Sequence, residues 1–258
     1  MNKYEIETVE LKAPNLNRND LAYAMKYRYA CKKFDSAKKI SDDDWNAILE
    51  SGRLAPTSLG FEAFRLLIVQ NPDIREKMKQ YGWGILAGLE ASHVVVFLAR
   101  KKADLEFDSP YIRHIQEEVK QLPTEVDAAY RQKYAQFTTE DYKTFESERA
   151  AFDWSSKQAY IVMSNMMTMA AYEGLDSCPM EGFNQDKMTA FLGDELGLFD
   201  TNRFGIAVMA AFLLGHEAYE HWSYQHAAPW MKSFRLLNKN REAVRNENTF
   251  RTASFVCV

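Results

Sequence analysis

Four short stretches hold residue types that could do chemistry. Arg28-Tyr29-Ala30-Cys31-Lys32-Lys33 ends a predicted helix, and Lys232-Ser233-Phe234-Arg235 lies near the C-terminus among aromatics. Such basic clusters are usually solvated, and cations at a helix C-terminus also complement its dipole. The same side chains supply the point-charge and bidentate contacts that bind a phosphate. Thr57-Ser58-Leu59-Gly60 follows a helix end at Pro56 and precedes a strand. Its hydroxyls and backbone N–H groups suit a ligand with many polar oxygens, or simply an ordinary turn. Pro179-Met180-Glu181-Gly182 reads as a tight extended turn. Gly182 would let the backbone approach a flat ligand closely, with N–H groups on either side to hydrogen-bond it.

Other signals fail on spacing or context. Gly82, Gly84 and Gly88 give G-x-G-x-x-x-G, one residue off the dinucleotide fingerprint. A charged helix precedes them where the fingerprint demands a strand, so they read as a loop with helix packing. His216-Glu217 and His221 are one residue too far apart, because a helix turns the fifth residue by a further ~100° off the shared face. His93 opens an apolar strand and reads as a satisfied structural histidine. Cys178 precedes proline and has no histidine near it, so a thiol nucleophile is not expected. Cys31, Cys178 and Cys257 are odd in number and lack a CxxC, which encodes neither a disulfide scaffold nor a metal site.

The elements that must position these stretches belong to an ordinary folded chain. Its 258 residues are 47% hydrophobic and 26% charged, enough to bury a core and exclude disorder. A net charge of -4, with acids and bases interspersed, argues against nucleic acid as a partner. The polar N-terminus and the absence of an apolar run of ~18 residues predict no signal peptide and no membrane span. A reduced, cytoplasmic, soluble protein is expected. Eleven methionines and 13% aromatics supply a core, an interface or a flat ligand's surroundings.

The pattern predicts α+β in a single domain over 1–258. Residues 1–18 form a polar arm, and a helix follows with Leu21, Ala24 and Met25 on one face. A second helix starts at N-cap Ser41, with Asp42 to Asp44 at its positive end and Trp45, Ile48 and Leu49 buried. Strands are predicted at 63–70, 93–99 and 205–215, and a charged helix at 73–81. Residues 175–183 are extended and a helix occupies 184–193. Residues 101–150 form a helical excursion, with a start signal at Thr138-Thr139-Glu140 and one long helix from about 140 to 172. The second half of that helix is apolar on nearly every side, which demands a large core or a subunit interface. Gly174 ends it. The tail at 251–258 is strand-like and pairs elsewhere, including on a partner subunit.

Taken in order, these stretches resemble the FMN-dependent nitroreductase family. The motifs are Arg28 to Asp35, Ala55-Pro56-Thr57-Ser58, Ala91 to Phe97, Lys157-Gln158-Ala159-Tyr160 and Cys178 to Phe183. The resemblance covers about residues 20 to 235. It implies a central mixed β-sheet wrapped by helices and an intertwined homodimer. The helix at 152–172 would lie at the interface, and the terminal strand would be exchanged. It implies FMN as cofactor, NAD(P)H as reductant and a small-molecule acceptor. Nitroaromatics, quinones or similar flat acceptors would be reduced by ping-pong hydride transfer, with the chemistry at FMN N5 and no catalytic side chain. Alternatives on the scaffold are a flavin reductase or an ene-type reductase. A flavin-binding dimer without turnover is the alternative of a different class.

Carried over by position, Arg28 would meet the FMN phosphate, with Tyr29 and Ala30 contributing backbone nearby. Lys32 would lie at the pyrimidine end. Thr57, Ser58 and Gly60 would come from the other subunit. Pro179, Met180, Glu181 and Gly182 would run along the isoalloxazine, with the Glu181 N–H at N5 and the Gly182 N–H near O4. Lys232 and Arg235 would be the C-terminal phosphate pair. The sequence departs from the family pattern at Ala30, where Ser is usual, and at Gly60, where Asn is usual. Gly84 and Ala87 stand where the best-known members carry Asn and Lys. The C-terminal pair is spaced K-x-x-R rather than K-x-R.

Overall fold

The structure, a computed structural model, describes residues 17–213 and Gly215, all within the compact unit Met1–Tyr219. The polar arm up to residue 16, the Lys232–Arg235 pair, the His216–His221 motif and the 251–258 strand lie outside the described residues.

Helix α1 spans Arg18–Tyr27 and α2 spans Asp42–Arg53. The Ser41 Oγ accepts the Asp44 N–H at 3.1 Å, the cap its position predicts. Strand β1 (Phe64–Val69) leads into α3 (Pro72–Met78), whose Asn71 cap accepts from Asp73 and Ile74. Strand β2 (His93–Arg100) is buried from Val94 to Arg100, as its β-branched run requires. The excursion follows as α4 (Lys102–Leu105), α5 (Pro110–Arg113) and α6 (Thr124–Gln136), with π-helical turns at His114–Val119 and Phe137–Asp141. Then come α7 (Glu148–Tyr172), β3 (Asp176–Met180), α8 (Gln185–Thr189) with a π-helical turn at Ala190–Glu195, and β4 (Phe204–Leu213).

The four strands are ordered β1-β2-β4-β3, and every neighbouring pair is antiparallel. The expected mixed sheet is therefore antiparallel over its described strands. Parallel pairing among the described residues is confined to one bridge, Ala30 to Ser177, on the outer edge of β3. The fold class is α+β. The two inner strands, β2 and β4, are buried almost throughout beneath α7.

The long helix begins later than the sequence suggests. Thr138 and Thr139 do not start it, because their hydroxyls donate back to the Tyr134 and Ala135 carbonyls and finish the preceding turn. The start is Ser147, whose Oγ accepts from the Ala150 N–H at 3.0 Å. Its end is as predicted: Gly174 sits at φ 76 and donates to Ala171, while the Leu175 N–H reaches Ala170. Met163, Met166 and Met167 turn inward and are buried within one chain. These methionines therefore pack into this chain's own core, the first of the two surroundings an all-apolar helix allows. Along the outer side run Asp153, Lys157, Tyr160, Ser164, Thr168 and Tyr172, a largely polar stripe.

Candidate active site

The edge of β3 is shaped by its proline. Pro179 pairs with Ala210 but has no N–H to exchange, so 178 and 180 make the ladder bonds to β4. The alternation turns the polar backbone groups of 177 and 179 away from β4. The Ser177 carbonyl confirms this by accepting the Cys31 N–H at 3.0 Å. Just beyond the strand, the Glu181 N–H meets no acceptor among the described residues.

The basic stretch at 28–33 thus runs beside 177–181. Arg28 caps α1 with its side chain exposed, Tyr29 is buried, and Ala30 is exposed. The exposed Lys32 reaches across, its Nζ donating to the Cys178 Sγ at 3.2 Å. The first and fourth predicted stretches are therefore brought together. Cys178 and Cys31 are buried as free thiols, with the Cys31 thiol pushed up by burial.

Beyond β3 the chain meets the glycine loop. The Gly84 N–H donates to the Gly182 carbonyl at 2.8 Å, and Gly82 bridges Phe183. A Cβ on Gly182 would stand 2.5 Å from the Gly84 Cα. A second backbone thus demands glycine at 182. Arg75 pins the far end of this loop. Its guanidinium donates to the carbonyls of Val69 (2.8 Å), Ala91 (2.6 Å) and Ser92 (3.0 Å). Trp83, between Gly82 and Gly84, is 86% exposed. Sequence reasoning passed over it, and an indole left in water so close to Gly182 is the signal that finds it.

Glu181 also borders a cleft of about 310 Å³ with Arg149, Phe152, Ser156 and Tyr160. The Tyr160 hydroxyl donates to the Glu181 carboxylate. Burial, reinforced by that carboxylate, pushes the Tyr160 phenol far up, so it stays protonated and Glu181 accepts.

The Thr57–Gly60 stretch is held elsewhere. The Ser58 N–H donates to Gln158 of α7 at 2.8 Å, and the Leu59 carbonyl accepts from Lys120 at 2.6 Å and Tyr130 at 3.3 Å. Leu59, Gly60 and Glu62 all have left-handed backbone, at φ 60, 58 and 49. For the two non-glycine residues this costs roughly 1–3 kcal/mol each, which the surrounding contacts must offset. Within one chain, the partners of this loop do not include Arg28–Lys32 or Pro179–Gly182.

His93 stacks on Trp45 at 4.0 Å and bonds Ser92, and burial lowers its pKa. No group of metal-ligating residues occurs among the described residues.

The nitroreductase family profile matches residues 25–233. The chain belongs to the nitroreductase family. YfkO of Bacillus subtilis strain 168, named as an NAD(P)H nitroreductase, is 47% identical over 190 residues, covering 73% of this chain and 86% of YfkO. A nitroreductase-like protein from Streptococcus mutans shares the fold with a TM-score of 0.67 at 17% identity, over 86% of this chain and 100% of that one. A nitroreductase from Exiguobacterium sibiricum solved in complex with FMN aligns with a TM-score of 0.61 at 18% identity, over 81% and 92%. No described helix of this family member is long and apolar enough to cross a membrane.

Proposed function

We propose that this nitroreductase-family chain is an FMN-dependent NAD(P)H oxidoreductase that reduces nitroaromatics, quinones or similar flat acceptors. The reductant and the acceptor would take turns in one open slot, which is a ping-pong order. The naming of YfkO and the FMN held by the Exiguobacterium neighbour support the cofactor and reductant. The carrying observation is the end of β3, where Lys32 reaches Cys178 and the Glu181 N–H, next to Gly182, meets no acceptor among the described residues.

The chain's leftover polar groups fit FMN. Arg28 is exposed and forms no ion pair among the described residues, so it is available to a phosphate. The Thr57 and Ser58 hydroxyls engage no described group. Tyr29 and Ala30 would border the phosphate, and Lys32 the pyrimidine edge. Pro179, Met180, Glu181 and Gly182 would line the ring, and Thr57, Ser58 and Gly60 would reach it from a second copy of the chain. Lys232 and Arg235 would complete the phosphate contacts. When bound, FMN supplies the hydride chemistry. The chain's part is electrostatic and positional: Lys32 places a positive charge where the ring becomes anionic on reduction, and the Glu181 N–H donates to its edge.

The test is direct. Purified protein is expected to release FMN, identified by its mass. Under anaerobic conditions its flavin absorbance near the visible maximum should bleach on addition of NADH or NADPH and return on addition of a quinone. Protein that neither carries nor takes up FMN refutes the reading. Flavin that stays oxidised in excess NAD(P)H makes it a binding protein without turnover.

A further inference from the structure

We propose that Lys120 is a positioning residue for the cofactor loop, holding the left-handed turn at Leu59–Gly60 so that Thr57 and Ser58 present their hydroxyls to the flavin. The inference rests on the reading above that Thr57–Gly60 contacts FMN, and it adds a residue outside every motif that carried that reading.

The argument starts from the turn. Leu59 occupies a conformation that suits glycine, with φ 60, and Gly60 continues it at φ 58. Nothing in a leucine side chain favours that backbone, so an outside contact must select it. The Leu59 carbonyl receives two donors, the Lys120 Nζ at 2.6 Å and the Tyr130 hydroxyl at 3.3 Å. The first is ionic, and charged hydrogen bonds are about twice as strong as neutral ones.

The ammonium is itself fixed in place. It lies over the rings of Phe61 at 4.8 Å and Tyr130 at 5.5 Å. It forms no ion pair among the described residues, and burial pushes its pKa down. The Glu62 charge partly offsets that burial without forming an ion pair, so the contacts that hold the ammonium are this carbonyl and these rings. Its own backbone closes the π-helical turn, with the Lys120 N–H donating to Ile115 at 2.8 Å, and Gln121 next to it is left-handed at φ 50. Gly60 packs beside the ammonium, where a Cβ would stand in van der Waals contact at 3.4 Å from the Lys120 Nζ. Two strained segments far apart in sequence therefore brace each other through one ammonium.

The experiment titrates full-length apo-protein with FMN and follows the quenching of flavin fluorescence. Lys120→Met should raise the Kd about tenfold or more, the loss expected of one charged hydrogen bond. Lys120→Arg should stay within about threefold of wild type, because it keeps the charge and the donors. Leu59→Gly adopts the turn without strain, so in the double variant the Lys120→Met penalty should shrink. A general loss of fold would not be rescued in this way. Wild-type affinity in Lys120→Met, or a penalty undiminished by Leu59→Gly, overturns the proposal. Should Lys120→Met fail to fold by far-UV circular dichroism, Tyr130→Phe removes only the second donor. It should raise the Kd a few-fold, and no change overturns the proposal. Wild-type protein that binds no FMN refutes the function reading itself, and this inference with it.

Discussion

At Gly182 the need for the smallest residue comes from a neighbouring backbone. A Cβ there falls 2.5 Å from the Gly84 Cα, and one on Gly84 falls 2.9 Å from the Gly182 Cα. Neither main chain can retreat without breaking the Gly84–Gly182 hydrogen bond. Gly182→Ala is therefore expected to cost roughly 1–3 kcal/mol in urea unfolding, as over-packing does. Gly84→Ala should behave alike, and the two together should be non-additive because they disturb one contact. The sequence marked Gly182 as special but could not show its partner, because the contact is long-range. Trp83 was missed for the same reason: only its exposure in the fold, at 86%, distinguishes it from a core indole. Trp83→Ala should raise the KM for flat acceptors several-fold and leave kcat near its starting value, the mark of lost uniform binding. Its unfolding free energy should move by no more than about 0.5 kcal/mol. A large fall in stability with KM unchanged would make the indole structural.

Whole elements were legible where local chemistry decides them. Ser41 before three aspartates and Gly174 after an apolar helix each end up in the predicted cap role. The strands β2 and β4 followed from β-branched and apolar runs too dense for a surface. The start of α7 was misread because threonine hydroxyls serve a helix end as readily as a helix start. Elements also carry a pH dependence. Helix α1 is fastened to the end of α7 by the Tyr27 hydroxyl, which donates to the Gly174 carbonyl at 3.1 Å. Burial first, and then the nearby Asp176 charge, pushes the Tyr27 phenol up to about 12 from its ordinary 10.0. The unfolded chain loses this proton first, so the native state is favoured fully below pH 10 and progressively less between pH 10 and 12. Stability measured by denaturant across that window should fall in wild type. It should fall less in Tyr27→Phe, which has no phenol to ionise. Equal slopes would show that Tyr27 does not govern the alkaline limb.

The whole molecule poses the question that no single element answers. One chain gathers Arg28–Lys32 and Pro179–Gly182 at the β3 edge, yet it anchors Thr57–Gly60 on α7 and the excursion. If all three stretches serve one flavin and a second copy supplies the loop, a twofold assembly would hold two such composite sites. That arrangement makes a prediction about mixtures that a site within one chain does not share. Gly182→Val spoils the β3 edge, and Ser58→Trp fills the polar face of the loop. Each variant alone should lose flavin-dependent activity. When the two are unfolded together and refolded in equal amounts, half the dimers are mixed, and each mixed dimer has one site with both defects and one with neither. About a quarter of all sites are then intact, and activity should return to about that fraction of wild type. Refolding each variant separately before mixing supplies the control, since no exchange then occurs. If activity stays at the level of the separate variants while gel filtration shows dimers formed, the loop and the β3 edge do not share a flavin. In that case Thr57 and Ser58 serve only the fold of their own chain.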